Sequence, residues 1–257
     1  MVTSAAERCR VLILAHRGLP GADRPENTLA AVAAAFDAGA DGVEVDLRLT
    51  LDDVLAVSHD PDLGRLTGDA RPVAESSWSQ LGNTAGASGL QLARLEQVLA
   101  LASGRRVVLE LKKPPPARDA ERRTALAVAG QLRSLTRAGL PLDVTVSSFS
   151  PTLVAAVREL LPRRSGVRTA LLGRPFDRAP SILRRAIDGG HDEVHPHVLP
   201  LIADTAVVRA AHACGVAVVP WTVNRRREVR RLDRLGVDAL ITDVPVSARA
   251  ALTPAVA

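Results

Sequence analysis

Residues 12–20 read Leu-Ile-Leu-Ala-His-Arg-Gly-Leu-Pro. Leu12 to Ala15 form the apolar body of a short strand, which stops on His16, Arg17 and Gly18. An open doubly wound sheet usually carries a glycine-rich phosphate loop after its first strand. Here that place holds a base, a cation and one glycine, so the open sheet is the weaker of two α/β readings. Outward from this stretch, short apolar and β-branched runs recur at 42–49, 54–58, 106–112, 143–148, 168–173, 192–198, 216–223 and 238–243, with helical stretches between most of them. Gly39, Gly104, Gly139, Gly189, Gly215 and Gly236 close several of those stretches, where helices stop in the left-handed conformation. Strand–helix alternation predicts parallel strands with helical crossovers. With 42–49 and 54–58 taken as one strand and its hairpin extension, eight units fill the 257 residues. That is the pattern of a single-domain (β/α)8 TIM barrel over residues 1–257. Residues 60–91 show no clear helix or long strand and read as a loop insertion after the second strand.

Composition narrows the function. A hydrophobic content of 47% supports a large core. The formal charge is +5, carried almost wholly by arginine, with lysine only at 112 and 113. The densest basic run, residues 225–235, has helical spacing that places Val229, Leu232 and Leu235 on one face, so its arginines read as a solvated outer surface. Aromatics make up only 2%, which leaves few platforms for stacking bases, and no nucleic-acid partner is expected. Cys9 and Cys214 stand in unlike settings and form neither a disulfide framework nor a zinc spacing. No apolar run reaches the length of a signal-peptide core or a membrane span, so the expectation is a soluble cytoplasmic protein. Nothing in the sequence assigns an oligomeric state.

In a barrel the reactive groups sit at the C-terminal ends of the strands. Strand one ends on His16 and Arg17. The next carries Glu44 and Asp46, two apart and so on one side. The hairpin ends on His59, and the run at 106–112 holds Glu110 and Lys112, again two apart. A lone histidine is more often structural than catalytic, and a lone carboxylate can face solvent. Three carboxylates, two histidines, an arginine and a lysine at successive strand ends form a site. Inward carboxylates repel one another in a low-dielectric place, and an all-oxygen set suits a hard divalent cation, Mg²⁺ or Ca²⁺. Arg17 and Lys112 beside it describe an oxyanion site, which phosphate fits. Histidines near neutrality can then move protons.

The same residues lie in motifs. HRG at 16–18, PENT at 25–28, GVEVDLRLTLDD at 42–53, HDPDLGRLT at 59–67, LELK at 109–112, SSF at 147–149, PWTVN at 220–224 and GVDALITDVP at 236–245 together resemble the glycerophosphodiester phosphodiesterase family, in order and over nearly the whole chain. Within PENT, Asn27 or Thr28 reads as the cap of the first helix. The resemblance implies a TIM barrel with one divalent metal held by Glu44, Asp46 and Glu110. It implies His16 and His59 as general acid and base, Arg17 and Lys112 on the phosphate, and Trp221 on the pocket wall. The implied reaction hydrolyses a small-molecule glycerophosphodiester to sn-glycerol 3-phosphate and an alcohol, the substrate's own hydroxyl attacking first and water opening the cyclic phosphate. Where family members often have Asp-Gly, this chain has Asp52-Asp53 on a hairpin turn, a change expected to affect the turn alone. The rival readings are a lysophospholipase D-type activity on lysophospholipids and a barrel that binds phosphate or metal without catalysis.

Overall fold

The computed structural model describes residues 10–161 and 163–253. Among the described residues ten strands occur in chain order: β1 (Leu12–His16), β2 (Gly42–Leu49), β3 (Leu55–Val57), β4 (Ala93–Arg94), β5 (Arg106–Leu111), β6 (Asp143–Ser148), β7 (Arg168–Leu172), β8 (Glu193–His195), β9 (Ala217–Val218) and β10 (Ala239–Thr242). Eight of them run parallel in the order β10-β1-β2-β5-β6-β7-β8-β9. The ring closes between its ends: Asp238 N–H donates to Val218 O at 3.1 Å, and Ile241 N–H to Pro220 O at 3.0 Å. The molecule is a (β/α)8 barrel, as the alternation of runs predicts.

The apolar core lies mainly between strands and outer helices. Val43, Val45, Leu109, Val128 and Leu132 are fully buried on one side of the ring, and Val194, Val208, Leu232 and Leu240 on the other. Helix Arg226–Leu235 buries Val229 and Leu232 and leaves its arginines in water, as expected for that run. Cys214 is exposed and free; Cys9 lies outside the described residues. Among the described residues, no helix is long and apolar enough to cross a membrane.

Two expectations need correction. Residues 60–91 are more than a loop: they contain helices Gly64–Thr67 and Trp78–Ala87 and a 3₁₀ turn at Val73–Glu75. Leu63, Val73, Leu81, Ala85 and Leu90 form a separate small core against Ala56 of β3. The longer helix hides in the sequence because it is short and rich in polar and small residues, and is held by its start. Ser77 accepts from Gln80 N–H, the Gln80 side chain returns to Ser77 N–H, and the Asp52 carboxylate accepts from Trp78 N–H at 2.9 Å. Asp52 therefore does more than shape its turn, while Asp53 takes the left-handed position (φ 62°). The second correction concerns Gly189, whose φ is −81°; its neighbour Gly190, at φ 65°, supplies the left-handed stop.

The barrel interior is polar at its lower end. Glu193, 1% exposed, meets Arg106, Arg168 at 2.9 Å, Thr145 at 3.0 Å and His195 at 2.9 Å. Burial alone would raise the Glu193 pKa; the His195 hydrogen bond and the two guanidiniums outweigh it and bring it down to about 2. A carboxylate depressed on folding contributes stability above its ordinary value of 4.5, and that contribution is lost as pH falls toward about 2. Glu193→Gln should lower stability at neutral pH by about 3–5 kcal/mol, as for other buried pairs that lose one partner, and should flatten the acid limb. Urea unfolding at pH 7, 4 and 3 checks this; parallel curves for parent and variant at all three would refute it.

Candidate active site

The turn after β1 is built by its sequence. Gly18 sits at φ +80°, and a Cβ there would lie 2.6 Å from the Ala31 carbonyl carbon, so only glycine lets the turn lie on the first helix. Thr28 caps that helix, its Oγ1 accepting from Ala31 N–H at 3.2 Å. Asn27 does something else. At φ 59°, a conformation asparagine tolerates better than most residues, it donates from Nδ2 to Asp46 Oδ2 at 2.8 Å and accepts Asp46 N–H at 3.1 Å. Of the two expected capping residues, one caps and the other clamps a carboxylate.

Glu44, Asp46 and Glu110 come together at the C-terminal ends of β2 and β5. One oxygen of each lies within 4.8 Å of the others, and all three residues are buried. Register explains the meeting, since Asp46 is the direct partner of Glu110. Lys112 Nζ reaches Asp46 Oδ1 at 2.7 Å and also bonds Glu110. Arg17 Nε lies 3.2 Å from Asp46 Oδ2, and its terminal nitrogen donates to Glu26 at 3.0 Å. Burial would raise Asp46; Lys112 and Arg17 outweigh it and hold its pKa below the ordinary range. At Glu44 the help from His16 and Lys112 is too small. Burial and the Asp46 charge push it up to about 8. Its Oε2 accepts Arg17 N–H at 3.1 Å, and its buried Oε1 has no protein partner. Three hard oxygen donors in one dry place, one of them holding its proton near neutrality, fit a divalent cation.

His16 adjoins this cluster, and His59 is anchored separately. His16 Nδ1 is 2.6 Å from Asp243 Oδ1 and its Nε2 is 3.9 Å from Glu44 Oε2. Burial would lower the His16 pKa; the Asp243 hydrogen bond and the Glu44 charge more than reverse that, and it stands raised. Asn224 holds Asp243 from behind, donating to Oδ2 at 2.6 Å and accepting Asp243 N–H at 2.9 Å. His59 Nδ1 contacts Asp60 at 2.9 Å, and Arg48 grips its carbonyl at 2.7 Å. A chain of ion pairs then runs from Asp60 to Arg65 (2.6 Å), Arg65 to Glu26 (2.7 Å) and Glu26 to Arg17. Trp221 stands across the mouth, in edge contact with Phe149 at 5.4 Å and donating from its indole to His195 O at 3.1 Å.

The sequence reading missed Glu26, Asp60, Arg65, Asn224, Asp243 and Phe149. All six lie inside the quoted motifs: Glu26 in PENT, Asp60 and Arg65 in HDPDLGRLT, Phe149 in SSF, Asn224 in PWTVN and Asp243 in GVDALITDVP. Asp60 bonds its neighbour His59 and nearby Arg65; the others act through partners farther along the chain, and spacing alone does not reveal that. Asp243→Asn should bring the His16 titration midpoint down, read by NMR on the imidazole; an unchanged midpoint would show that Asp243 does not sustain it.

Comparison with known proteins agrees with this geometry. The model of the glycerophosphoryl diester phosphodiesterase family matches residues 16–247. A glycerophosphodiester phosphodiesterase of Bacillus altitudinis is 30% identical over 247 residues, covering 91% of this chain and 94% of that one. The crystal structure of the glycerophosphodiester phosphodiesterase of Thermotoga maritima superposes with a TM-score of 0.74 at 27% identity, over 95% of this chain and 99% of its own. An Oleispira antarctica phosphodiesterase, solved with the product sn-glycerol-3-phosphate, shares the fold at TM-score 0.77 and 23% identity, over 95% and 97% of the two chains. Taken with the site, these likenesses show that the chain belongs to the glycerophosphoryl diester phosphodiesterase family.

Proposed function

We propose that this chain, as one catalytic domain, hydrolyses glycerophosphodiesters to sn-glycerol 3-phosphate and an alcohol with the help of a divalent cation. The observation that carries the reading is the buried triad of Glu44, Asp46 and Glu110, with Arg17 and Lys112 beside it and His16 3.9 Å from Glu44. The triad would hold Mg²⁺ or Ca²⁺; when bound, that ion supplies Lewis-acid stabilisation of charge on the phosphoryl group and the attacking oxygen. Arg17 and Lys112, relieved of part of their duty to the carboxylates, bind phosphate oxygens. His16 holds its proton because Asp243 backs it, and it gives that proton to the leaving alcohol. His59, steadied by Asp60, accepts the proton of the attacking hydroxyl. Trp221 and Phe149 close the opposite wall.

Release of glycerol 3-phosphate from glycerophosphocholine should stop with EDTA and return with Mg²⁺ or Ca²⁺. Glu110→Gln should fold and bind the cation weakly; full activity in that variant would sink the triad. His16→Ala and His59→Ala should each lose at least about 10²-fold in kcat, the usual worth of a positioned acid or base. Neither should lose the cation. A p-nitrophenyl ester, whose leaving group needs no proton, should partly rescue His16→Ala and not His59→Ala, and the reverse pattern would exchange their roles.

One observation favours the lysophospholipid reading: Phe176, on the loop after β7 at this same end of the barrel, is 80% exposed. Against it, the insertion brings no aromatic to the mouth, because Trp78 packs within its own core. Small headgroups are therefore preferred. Faster turnover of a lysophospholipid than of glycerophosphocholine would overturn that preference.

A further inference from the structure

Thr145 Oγ1 and Glu193 Oε1 lie 3.0 Å apart across the barrel, so these residues of β6 and β8 stand at one height. Register shows how the strands tilt. Glu193 pairs with Ala170, and Ala170 with Ser147, yet Glu193 touches Thr145, two residues earlier on β6. Passing two strands round the ring thus steps two residues along the chain, as a tilted eight-stranded barrel requires. The same step takes Glu44, registered on Val108 and through it on Thr145, to Ser147. It takes Ile241, registered on Leu14 and through it on Gly42, to Glu44. His195 lies two residues above Glu193 on the same inner face. Glu44, Ser147, His195 and Ile241 therefore make one layer of the interior, each from an alternate strand.

Such layers are normally filled with branched apolar side chains. Here three of the four are polar, and each presents a buried atom with no protein partner: Glu44 Oε1, Ser147 Oγ and His195 Nδ1. Their residues are 3%, 1% and 0% exposed. Buried polar groups are nearly always paired, because an unpaired one loses its hydration without compensation. Three in one layer point to a shared partner.

The chemistry of the three atoms says what it is. His195 Nε2 sits 2.9 Å from the carboxylate oxygen Glu193 Oε2, an acceptor, so in the neutral ring the proton lies on Nε2 and Nδ1 is the acceptor. Glu44 Oε1, once the carboxyl gives up its proton to ligate a cation, is also an acceptor. Ser147 has one O–H to give. Two acceptors and one donor match a single water, which gives two hydrogens and receives one. We propose that Ser147 and His195 hold a buried water against Glu44 Oε1 and so act as positioning residues for Glu44, keeping its other oxygen turned to the mouth. The inference rests on Glu44 being a cation ligand. Partners of this kind behind a ligand commonly alter metal affinity by about 10–100-fold.

Two histidine replacements separate positioning from plain support. His195→Gln can reach Glu193 in place of Nε2 and has no polar atom where Nδ1 stands. His195→Asn keeps a polar atom near Nδ1 and is too short for Glu193. Mg²⁺ and Ca²⁺ affinities of the full chain, measured by calorimetry on metal-free protein, are read beside thermal unfolding. His195→Gln should be the more stable of the two and yet bind the cation at least about 10-fold more weakly than the parent, while His195→Asn binds close to the parent. Ser147→Ala should weaken the cation similarly with little change in unfolding temperature, and it serves as the test where a histidine variant fails to fold. Asp46→Asn tells which idea fails. If it binds the cation as the parent does, the cation site itself is wrong. If it loses the cation while Ser147→Ala and His195→Gln keep it, the site stands and the water bridge is overturned. A high-resolution crystal structure should show one ordered water touching all three residues; their direct contact without it would overturn the proposal.

Discussion

Like charge held out of water governs the upper end of this barrel. Glu44, Asp46 and Glu110 are drawn within 4.8 Å by strand register alone, and in a dry place such a cluster needs compensation. Much of the surrounding structure provides it. Lys112 lies across two of the carboxylates, Arg17 and Asn27 both meet Asp46 Oδ2, and Gly18 lets the chain bend tightly enough to bring both into place. Arg17 and Asn27 both adopt positive φ, a conformation that costs a non-glycine residue energy and survives where the surroundings fix it. Compensation is incomplete at Glu44, and that shortfall makes the place receptive to a cation.

The two ends of the interior solve the problem of buried charge differently. Below, the charge of Glu193 is matched by two guanidiniums, a hydroxyl and an imidazole. Above, three carboxyl groups share Lys112 and Arg17, and Glu44 keeps its proton near neutrality. Apolar side chains of Leu14, Val108 and Val219 lie in the interior with Ile241. The charge of one end is thus matched on folding, and the other is completed by what binds.

The sequence shows this fold well because the barrel is periodic. The runs at 42–49 and 143–148 match β2 and β6 residue for residue, since a strand buried on both faces reads as a continuous apolar stretch interrupted only by its inward charges. The carboxylate triad was legible for the same reason: a spacing of two on a strand fixes a common face. What stayed hidden depends on contacts between distant segments. Asp243 and His16 are separated by 227 positions, and no local pattern links them. Asn27 looked like a cap because asparagine before a helix usually is one; its clamp on Asp46 exists only once β2 lies beside it. The helix Trp78–Ala87 has two glycines and few apolar residues, so its periodicity is faint, and its capping contacts, one of them from Asp52 across the turn, carry the signal instead.

The ion-pair chain from Asp60 through Arg65 and Glu26 to Arg17 has a consequence for modularity. Residues 60–91 have their own core and sit on the hairpin like a detachable piece, which invites exchange for a longer or more apolar segment to suit another alcohol. Arg65, however, belongs to that piece and also neutralises Glu26. An exchange that omits it would leave Glu26 competing for Arg17, and that guanidinium would be drawn away from Asp46. The insertion and the reaction centre share a counter-ion, so the choice of headgroup cannot be redesigned as an independent part unless the arginine is carried across with it.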